Sequence, residues 1–368
     1  MPPSRTTLAR AGLVVAGLLI GVLLAEVLAR AIAPDAAADL LFDAPSNAPA
    51  GMYMADEKLG WSPSPGFRGT LRSLGYSVPI AFNQLGHRGQ EPTGTGGWLV
   101  LGDSFTLAAQ VRESDTFVAR LRSVGHTTHN AGADGYSTWH GRVRYQRAQQ
   151  QLQPDGVLLV YFLGNDPGDD ERFSGGMHML PGATHGEPLP ALVGNPVEAF
   201  FAQRSYIYGQ LRVWMRRRAL AAGSGDLHTT DKWRAELQAF TTSGQGKLQQ
   251  VLNRGSRRAL RELRDDVRRG GGRLVVALAP PAFVIDANRR AATFSLVGLD
   301  PATADVDAPA GLLTAELRHL GIANCDLTDP LRAAHAAEPS EALYFTYDGH
   351  WTAAGHAVVA DALAACIQ

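Results

Sequence analysis

The sequence predicts an α/β protein whose parallel sheet is covered by helices on both faces. Short apolar runs bounded by turn residues indicate buried strands at 98–101, 157–162 and 274–279. Stretches with helical periodicity separate these runs, and a strand that alternates with a helix is typical of a parallel sheet. Ligands of such sheets bind beyond the carboxyl ends of the strands, so the residues that follow each run are candidates for function.

Two weaker strand candidates lie at 127–130 and 322–327. The stretches with helical periodicity are 116–123, 142–151, 248–268 and 353–365.

Composition fits one folded globular protein. The chain has 368 residues, of which 45% are hydrophobic, and a formal net charge of −1. Its length allows a sizeable core. A net charge near zero and sparse aromatic residues give no reason to expect nucleic acid as a partner.

The N-terminal segment has the pattern of a membrane signal anchor. Arg5 and Arg10 precede an apolar run over 11–25, and Glu26 and Arg30 follow it one helical turn apart. The run reaches membrane-spanning length if the last two side chains lie in the far interface. Basic residues before the run predict that the N-terminus stays inside and the rest of the chain is exported.

We therefore predict a cytoplasmic segment at 1–10, a signal anchor at 11–33 and a body in the periplasm or outside the cell. A cleaved signal peptide is the alternative, because 31–33 resembles a cleavage site, although Pro34 argues against cutting there. A buried core helix is the purely structural alternative.

The rest of the chain divides into a cap and a main domain. Residues 34–96, rich in Ala, Pro and Gly, predict a linker followed by a small irregular or β-rich cap. Residues 97–368 form the predicted α/β domain, which an insert at about 168–246 interrupts. A basic, aromatic helix at 200–218 within the insert is interpreted as a solvated helix with one buried face, a membrane-facing helix or a lid.

Candidate catalytic residues follow the strand candidates in order. Gly102-Asp103-Ser104 follows the first strand, Gly135 lies in the loop after 127–130, and Asn165 follows 157–162. Near the C-terminus, Asp348 and His350 share one short loop. A nucleophilic serine needs a base, a group that orients the base and donors for an oxyanion, and this set contains each of them.

These motifs resemble the SGNH hydrolase superfamily, also called GDSL esterases, which is named for the Ser, Gly, Asn and His of the four blocks. The resemblance covers about residues 97–366, and the apolar N-terminus and 83–89 also look like membrane-anchored bacterial members. It implies a three-layer α/β/α sandwich with about five parallel strands in flavodoxin-like order. It also implies ester hydrolysis through a covalent acyl-enzyme, with no metal or other cofactor.

The resemblance assigns roles to individual residues. Ser104 is the nucleophile, His350 the general base and Asp348 the residue that orients His350. The oxyanion donors are the backbone N–H groups of Ser104 and Gly135 and the side-chain amide of Asn165. Gly132 is the alternative to Gly135, which has the better offset from the strand end.

Two positions depart from the family pattern. The last block is usually Asp-x-x-His, whereas Asp348-Gly349-His350 is one residue shorter and is followed by Trp351. This form is similar to SGNH-like polysaccharide O-acetyltransferases. Phe105 stands where the family name has leucine.

Three functions follow from these observations. The first is a serine esterase that acts on an acyl ester, expected to be an acetyl ester of an extracytoplasmic glycan. The second is a polysaccharide O-acetyltransferase that uses the same triad. The third is a non-catalytic module that binds a glycan or a protein partner.

Several other residues could be structural or functional. Cys325 and Cys366 form no zinc motif and are interpreted as a disulfide or as two small buried residues. The acidic residues that follow Asn165 are interpreted as a solvated loop in preference to a calcium site. Arg88 is predicted near the pocket, either bound to an anionic substrate or in a structural salt bridge.

Overall fold

The computed structural model describes residues 5–31, 48–73, 75–174, 184–189, 197, 200–201, 204–221, 227–346 and 348–368. The strands are β1 (Tyr53–Asp56), β2 (Gly60–Pro63), β3 (Arg68–Arg72), β4 (Ser77–Ala81), β5 (Trp98–Leu101), β6 (Thr128–Asn130), β7 (Gly156–Phe162), β8 (Arg273–Ala279) and β9 (Ala323–Asp326).

The helices are α1 (Arg5–Ala31), α2 (Ser104–Leu107), α3 (Phe117–Ser123), α4 (Thr138–Leu152), α5 (Asp166–Arg172), α6 (Tyr206–Ala221), α7 (Leu227–Gln238), α8 (Gln245–Arg254), α9 (Ser256–Arg269), α10 (Ala282–Ile285), α11 (Ala287–Leu296), α12 (Ala308–Leu320), α13 (Thr328–Ala337) and α14 (Ala353–Cys366).

A five-stranded parallel sheet forms the centre of the main domain, in the order β6-β5-β7-β8-β9. The chain reverses its direction of travel across the sheet after β6, because β7 pairs with the other edge of β5. This is the flavodoxin-like order, and it places a ligand crevice at the carboxyl ends of β5 and its neighbours. The predicted α/β fold with five parallel strands and the weaker strand candidates are confirmed.

Alternate side chains of the strands pack into two separate cores. Leu99, Leu159 and Val276 face a core built with α4, α9 and α12. Val100 and Val160 face a second core, built with α3, α13 and α14. Strands that are apolar on both faces require helices on both sides, which is why the sequence reads as short continuous apolar runs.

The segment before the main domain forms a cap of two antiparallel hairpins, β1–β2 and β3–β4. Its small apolar core contains Met52, Ile80 and Phe82, and it also takes in Leu107 and Tyr136 from the main domain. The cap is therefore packed onto the loops that follow β5 and β6.

One predicted helix is two helices in the structure. The stretch 248–268 is divided between α8 and α9 at Gly255. A Cβ atom on Gly255 would lie 2.4 Å from the backbone nitrogen of Glu171, so this position allows the close approach of α5. The prediction of a continuous helix was wrong because apolar periodicity alone does not reveal such a contact.

The N-terminal helix α1 covers most of the predicted anchor. Within the described ranges, none of the helices combines the length and the apolar character needed to cross a bilayer. The anchor at 11–33 stays a prediction.

Cys325 in β9 and Cys366 at the end of α14 form a disulfide, with their Cα atoms 6.4 Å apart. This resolves the two interpretations of the cysteines in favour of a bridge. The bridge ties the last helix to the edge strand of the sheet. A loop of this length gives a stabilisation of about 4 kcal/mol in the chain-entropy model.

Candidate active site

Ser104 is held by a tight turn at the carboxyl end of β5. Gly102 has φ +143°, and a Cβ atom there would lie 2.7 Å from the carbonyl oxygen of Val160. Asp103 is buried, and its carboxylate accepts a hydrogen bond of 2.9 Å from the backbone N–H of Phe105. The turn and the cap of α2 thus fix the backbone that presents the half-buried Ser104.

His350 and Asp348 lie on a loop that a β-bridge closes. Tyr344 and Trp351 form the bridge, and the Trp351 side chain is fully buried. Gly349, between the two polar residues, has φ +77°, a conformation that favours glycine. The shortened Asp-Gly-His block is therefore compatible with a tight loop in which both side chains point the same way.

The structure brings the three predicted residues of the triad together. His350 Nε2 lies 2.7 Å from Ser104 Oγ. His350 Nδ1 is hydrogen-bonded to Asp348 Oδ1. This is the order nucleophile, base, orienting acid that serine hydrolases require.

The predicted oxyanion donors do not all lie at the cavity beside the triad. Asn165 lines the same cavity as Ser104 and His350, and its Nδ2 donates a 2.6 Å hydrogen bond to Asp169. Gly135 lies outside that lining, beside the Trp61 ring. The N–H of the alternative residue, Gly132, donates to Asn130 Oδ1 at 3.1 Å and is thereby engaged.

A cavity of about 290 Å³ opens beside the triad. Apart from the triad and Asn165, its walls are mainly aromatic and aliphatic. Helix α7 of the insert contributes Trp233, Glu236 and Leu237, which sequence reasoning did not identify. The remaining wall residues are Phe105, Phe162, Gly164, Phe240, Pro281, Ala282, Phe283 and Gly349.

Carboxylates around His350 determine its protonation. Burial disfavours the imidazolium ion, but the adjacent Asp348 and the more distant Asp103 and Asp134 outweigh this effect and raise the pKa of His350 to about 9. Burial would raise the pKa of Asp348, but the charge of His350 and the hydrogen bonds it receives lower that pKa below the ordinary value. The two shifts agree, and both describe an ion pair at neutral pH.

Asp103 and Asp134 are both buried close to this ion pair. Burial, with Asp169 and Asp134 nearby, raises the pKa of Asp103 to about 7. Burial also raises the pKa of Asp134, against the hydrogen bond that it accepts from Tyr53. Clusters of perturbed titratable groups at one edge of a sheet are typical of active sites.

Two tyrosines of the cap contact the site, and sequence reasoning missed both. Tyr76 Oη donates a 2.8 Å hydrogen bond to Asp348 Oδ2, the oxygen that does not face His350. Tyr53 Oη donates at 2.6 Å to Asp134, the residue before Gly135. The sequence predicted a β-rich cap at 34–96. The spacing of residues in a hairpin does not indicate which distant loop its side chains contact, so the two tyrosines could not be identified.

The acidic residues after Asn165 form helix α5 rather than the solvated loop that was predicted. Asp166 and Asp170 are buried, and Asp170 accepts hydrogen bonds from the backbone and the hydroxyl of Thr138. Among the described residues, no group of acidic, His or Cys side chains could hold a metal ion. Pro167 and the acidic first turn favour a helix start here.

Arg88 has a different role from either one predicted. It is buried, and its guanidinium donates hydrogen bonds to the backbone oxygens of Leu107 and Val111 at 2.7 and 2.6 Å. Its partners in these bonds are backbone carbonyls at the end of α2 and in the loop that follows it, and not a substrate anion or a carboxylate. Arg88 thus joins the cap to the segment behind the nucleophile.

Comparison with known proteins supports the class that this geometry defines. Residues 240–368 match the family model described as "SGNH hydrolase-like domain, acetyltransferase AlgX". That segment includes Asp348 and His350. No curated protein sequence matches the chain.

Several solved structures share a likeness with the chain. LAE5, an alpha/beta hydrolase from the metagenome of Lake Arreo, Spain, is 14% identical, with a TM-score of 0.37, over 75% of this chain and 98% of that one. The acetyl xylan esterase AlAXEase is 12% identical, with a TM-score of 0.37, over 74% and 100%. A catalytic mutant of Axe2, an acetylxylan esterase from Geobacillus stearothermophilus, is 13% identical, with a TM-score of 0.35, over 74% and 94%.

The C-terminal part of the chain is similar to the SGNH class of ester hydrolases and O-acyltransferases, and the hydrogen-bonded Ser104, His350 and Asp348 are the residues of an enzyme of this kind. The resemblance of the sequence motifs to SGNH hydrolases is confirmed, whereas the likeness to membrane-anchored members stays a prediction.

The raised pKa of His350 predicts an alkaline limb in the pH profile. A general base must be neutral, so kcat/KM for an acyl ester should rise roughly tenfold per pH unit and level off near the pKa of about 9. Asp103→Asn, which can still cap α2, removes one carboxylate and should move this limb to lower pH. Steady-state kinetics corrected for spontaneous hydrolysis would test this, and a limb that ends below pH 7 in the wild type would contradict it.

The contact between Tyr76 and Asp348 predicts a second change in the profile. Tyr76→Phe removes a hydrogen bond that stabilises the carboxylate, which should lower kcat/KM about tenfold and raise the apparent pKa of His350. Tyr161→Phe is the matched control, because Tyr161 also loses a buried hydrogen bond, at 2.7 Å from Ser256 Oγ. It should change thermal stability without moving the limb. Identical pH profiles for Tyr76→Phe and the wild type would rule out the positioning role.

Proposed function

We propose that the chain is a serine esterase that hydrolyses an acetyl ester of an extracytoplasmic glycan. The observation that carries the proposal is the hydrogen-bonded series of Ser104, His350 and Asp348 at the carboxyl edge of the sheet. The third function considered, a non-catalytic module, would not require this series.

Acylation begins when Ser104 Oγ attacks the ester carbonyl carbon and His350 Nε2 takes the hydroxyl proton. The charge on the carbonyl oxygen is stabilised by the Ser104 N–H and by Asn165 Nδ2, which both line the cavity. The N–H of Gly135, which lies outside that lining, is the third donor that the resemblance implies. The ester C–O bond then breaks, and His350 returns the proton to the leaving alcohol. Asp348 stabilises the imidazolium ion that forms between these two steps.

Deacylation reuses the same groups. His350 takes a proton from water, the resulting hydroxide equivalent attacks the acyl carbon, and the bond to Ser104 Oγ breaks as that oxygen regains a proton. The products are a carboxylic acid and the free serine.

The second candidate is an O-acetyltransferase, in which a sugar hydroxyl takes the place of water. The description of the matched family as an acetyltransferase and the Asp348-Gly349-His350-Trp351 sequence favour it. The chemistry differs only in the acceptor, so the two functions depend on which nucleophile the cavity admits.

The cavity supports a substrate larger than its acyl group alone. Its volume of about 290 Å³ and its aromatic walls are typical of a site that encloses a small organic group with few polar contacts. Glu236 on α7 contributes a carboxylate to the wall of the cavity. We place the sugar ring of the substrate against this wall.

We also propose that the body is exported and held at the membrane by the predicted anchor. Arg5 and Arg10, which precede the apolar run of α1, support this orientation. The disulfide between Cys325 and Cys366 supports an oxidising compartment, because such bridges are rare in the cytoplasm.

The full chain in detergent should turn over p-nitrophenyl acetate, and Ser104→Ala and His350→Ala should each lower the rate by about 10³-fold or more. Ser340→Ala and His319→Ala change the same residue types at exposed positions and should leave the rate unaltered. Equal turnover by the wild type and Ser104→Ala would contradict the assignment of the nucleophile.

Adding oligosaccharide acceptors separates the two candidates. For a hydrolase, released acetate should equal released p-nitrophenol whether or not an acceptor is present. For a transferase, acetate should fall short by the amount of acetylated sugar, which mass spectrometry measures.

A further inference from the structure

The most exposed large apolar side chains of the described residues are concentrated in two segments, apart from Val124. One segment is α1, where such side chains run from Leu13 to Leu28. The other runs from Val197 to Met215 and includes Trp214, which is 52% exposed. Apolar clusters of this kind on a folded protein mark a binding surface.

The two segments are joined by a specific polar contact. The Glu26 carboxylate of α1 accepts hydrogen bonds from the backbone N–H groups of Tyr206 and Ile207, at 2.6 and 3.3 Å, and from Ser205 Oγ at 3.0 Å. Glu26 therefore caps the N-terminus of α6 from another helix. This contact explains the acidic residue at the end of the apolar run of α1.

Arg30 strengthens the same joint. It lies one turn from Glu26, donates a 2.9 Å hydrogen bond to the backbone oxygen of Arg204, and its guanidinium lies 4.5 Å from the Tyr206 ring centroid. The end of α1 and the start of α6 are thus fixed to each other.

Aromatic and basic side chains alternate along the second segment at helical spacing. Arg204 lies over the ring of Phe200, Arg212 over that of Tyr208, and Arg218 over that of Trp214. Each arginine follows its aromatic partner by four residues. Such pairs place a ring at the apolar boundary of a bilayer and a cation at the phosphate level.

We propose that α6 lies on the surface of an anionic lipid bilayer, next to α1. A protein partner would cover one face of a helix, whereas α1 exposes apolar side chains from Leu13 to Leu28 without a polar face. The arginines of α6 complement anionic headgroups. The inference is independent of the chemistry at Ser104, and it extends the proposed localisation from α1 to the insert.

Trp214 is a natural probe for this arrangement. The other tryptophans, at 61, 98, 139, 233 and 351, are buried or half-buried in the cap and the main domain. The full chain would be reconstituted into phosphatidylglycerol vesicles whose acyl chains carry bromine near the headgroup. In brominated vesicles the tryptophan fluorescence of the chain should be lower than in unbrominated vesicles, by about the contribution of Trp214 alone.

The variants identify the source of the quenching. Trp214→Phe should lose it, and Trp98→Phe, which removes a buried tryptophan, should retain it. Glu26→Leu removes the cap on α6 but keeps α1 apolar, so the chain should still float with vesicles while quenching falls.

Three results would overturn the proposal. They are equal emission in brominated and unbrominated vesicles, quenching that persists in Trp214→Phe, and a chain that does not float with the vesicles. Trp214 that is shielded from iodide but insensitive to brominated lipid would instead point to a protein surface over α6. Flotation without quenching would reject only the placement of α6 and would leave the predicted anchor intact. The quenching and flotation results are independent of the turnover of p-nitrophenyl acetate.

Discussion

The hydrogen bond between His350 and Ser104 joins residues that are 246 positions apart in the chain, and the remainder of the site is arranged around it. One partner is fixed by the turn after β5, where only glycine fits at position 102. The other is fixed by the bridge between Tyr344 and Trp351. Both attachments rest on the buried sheet, so the packing of its two faces sets the geometry of the two reacting side chains.

The same geometry carries an electrostatic cost. Asp103 and Asp134 are buried near the ion pair of His350 and Asp348, and burial raises the pKa of each of these two acids. The protein offsets this with hydrogen bonds from the Phe105 backbone and from Tyr53. The surplus of carboxylates favours imidazolium, the form that develops after proton transfer, at the expense of the neutral base that starts the reaction.

Much of the fold and of the triad could be predicted from the sequence, because each depends on local signals. Apolar runs end in turn residues at the strand ends, and those turns carry Ser104 and Asn165. The break at Gly255 and the contact of Tyr76 with Asp348 could not be predicted, since both depend on how distant segments meet. The role of α7 in the cavity wall belongs to the same category, because a long insert gives no indication of where it packs.

The most direct test of the account is to trap the acyl-enzyme. The full chain would be mixed with p-nitrophenyl acetate, quenched in acid within the first turnover and digested for mass spectrometry. The account predicts one acetyl group on the peptide that contains Ser104, absent from Ser104→Ala and much reduced in His350→Ala. An acetyl group on a different residue, in a protein that turns over normally, would contradict the central claim that Ser104 is the nucleophile.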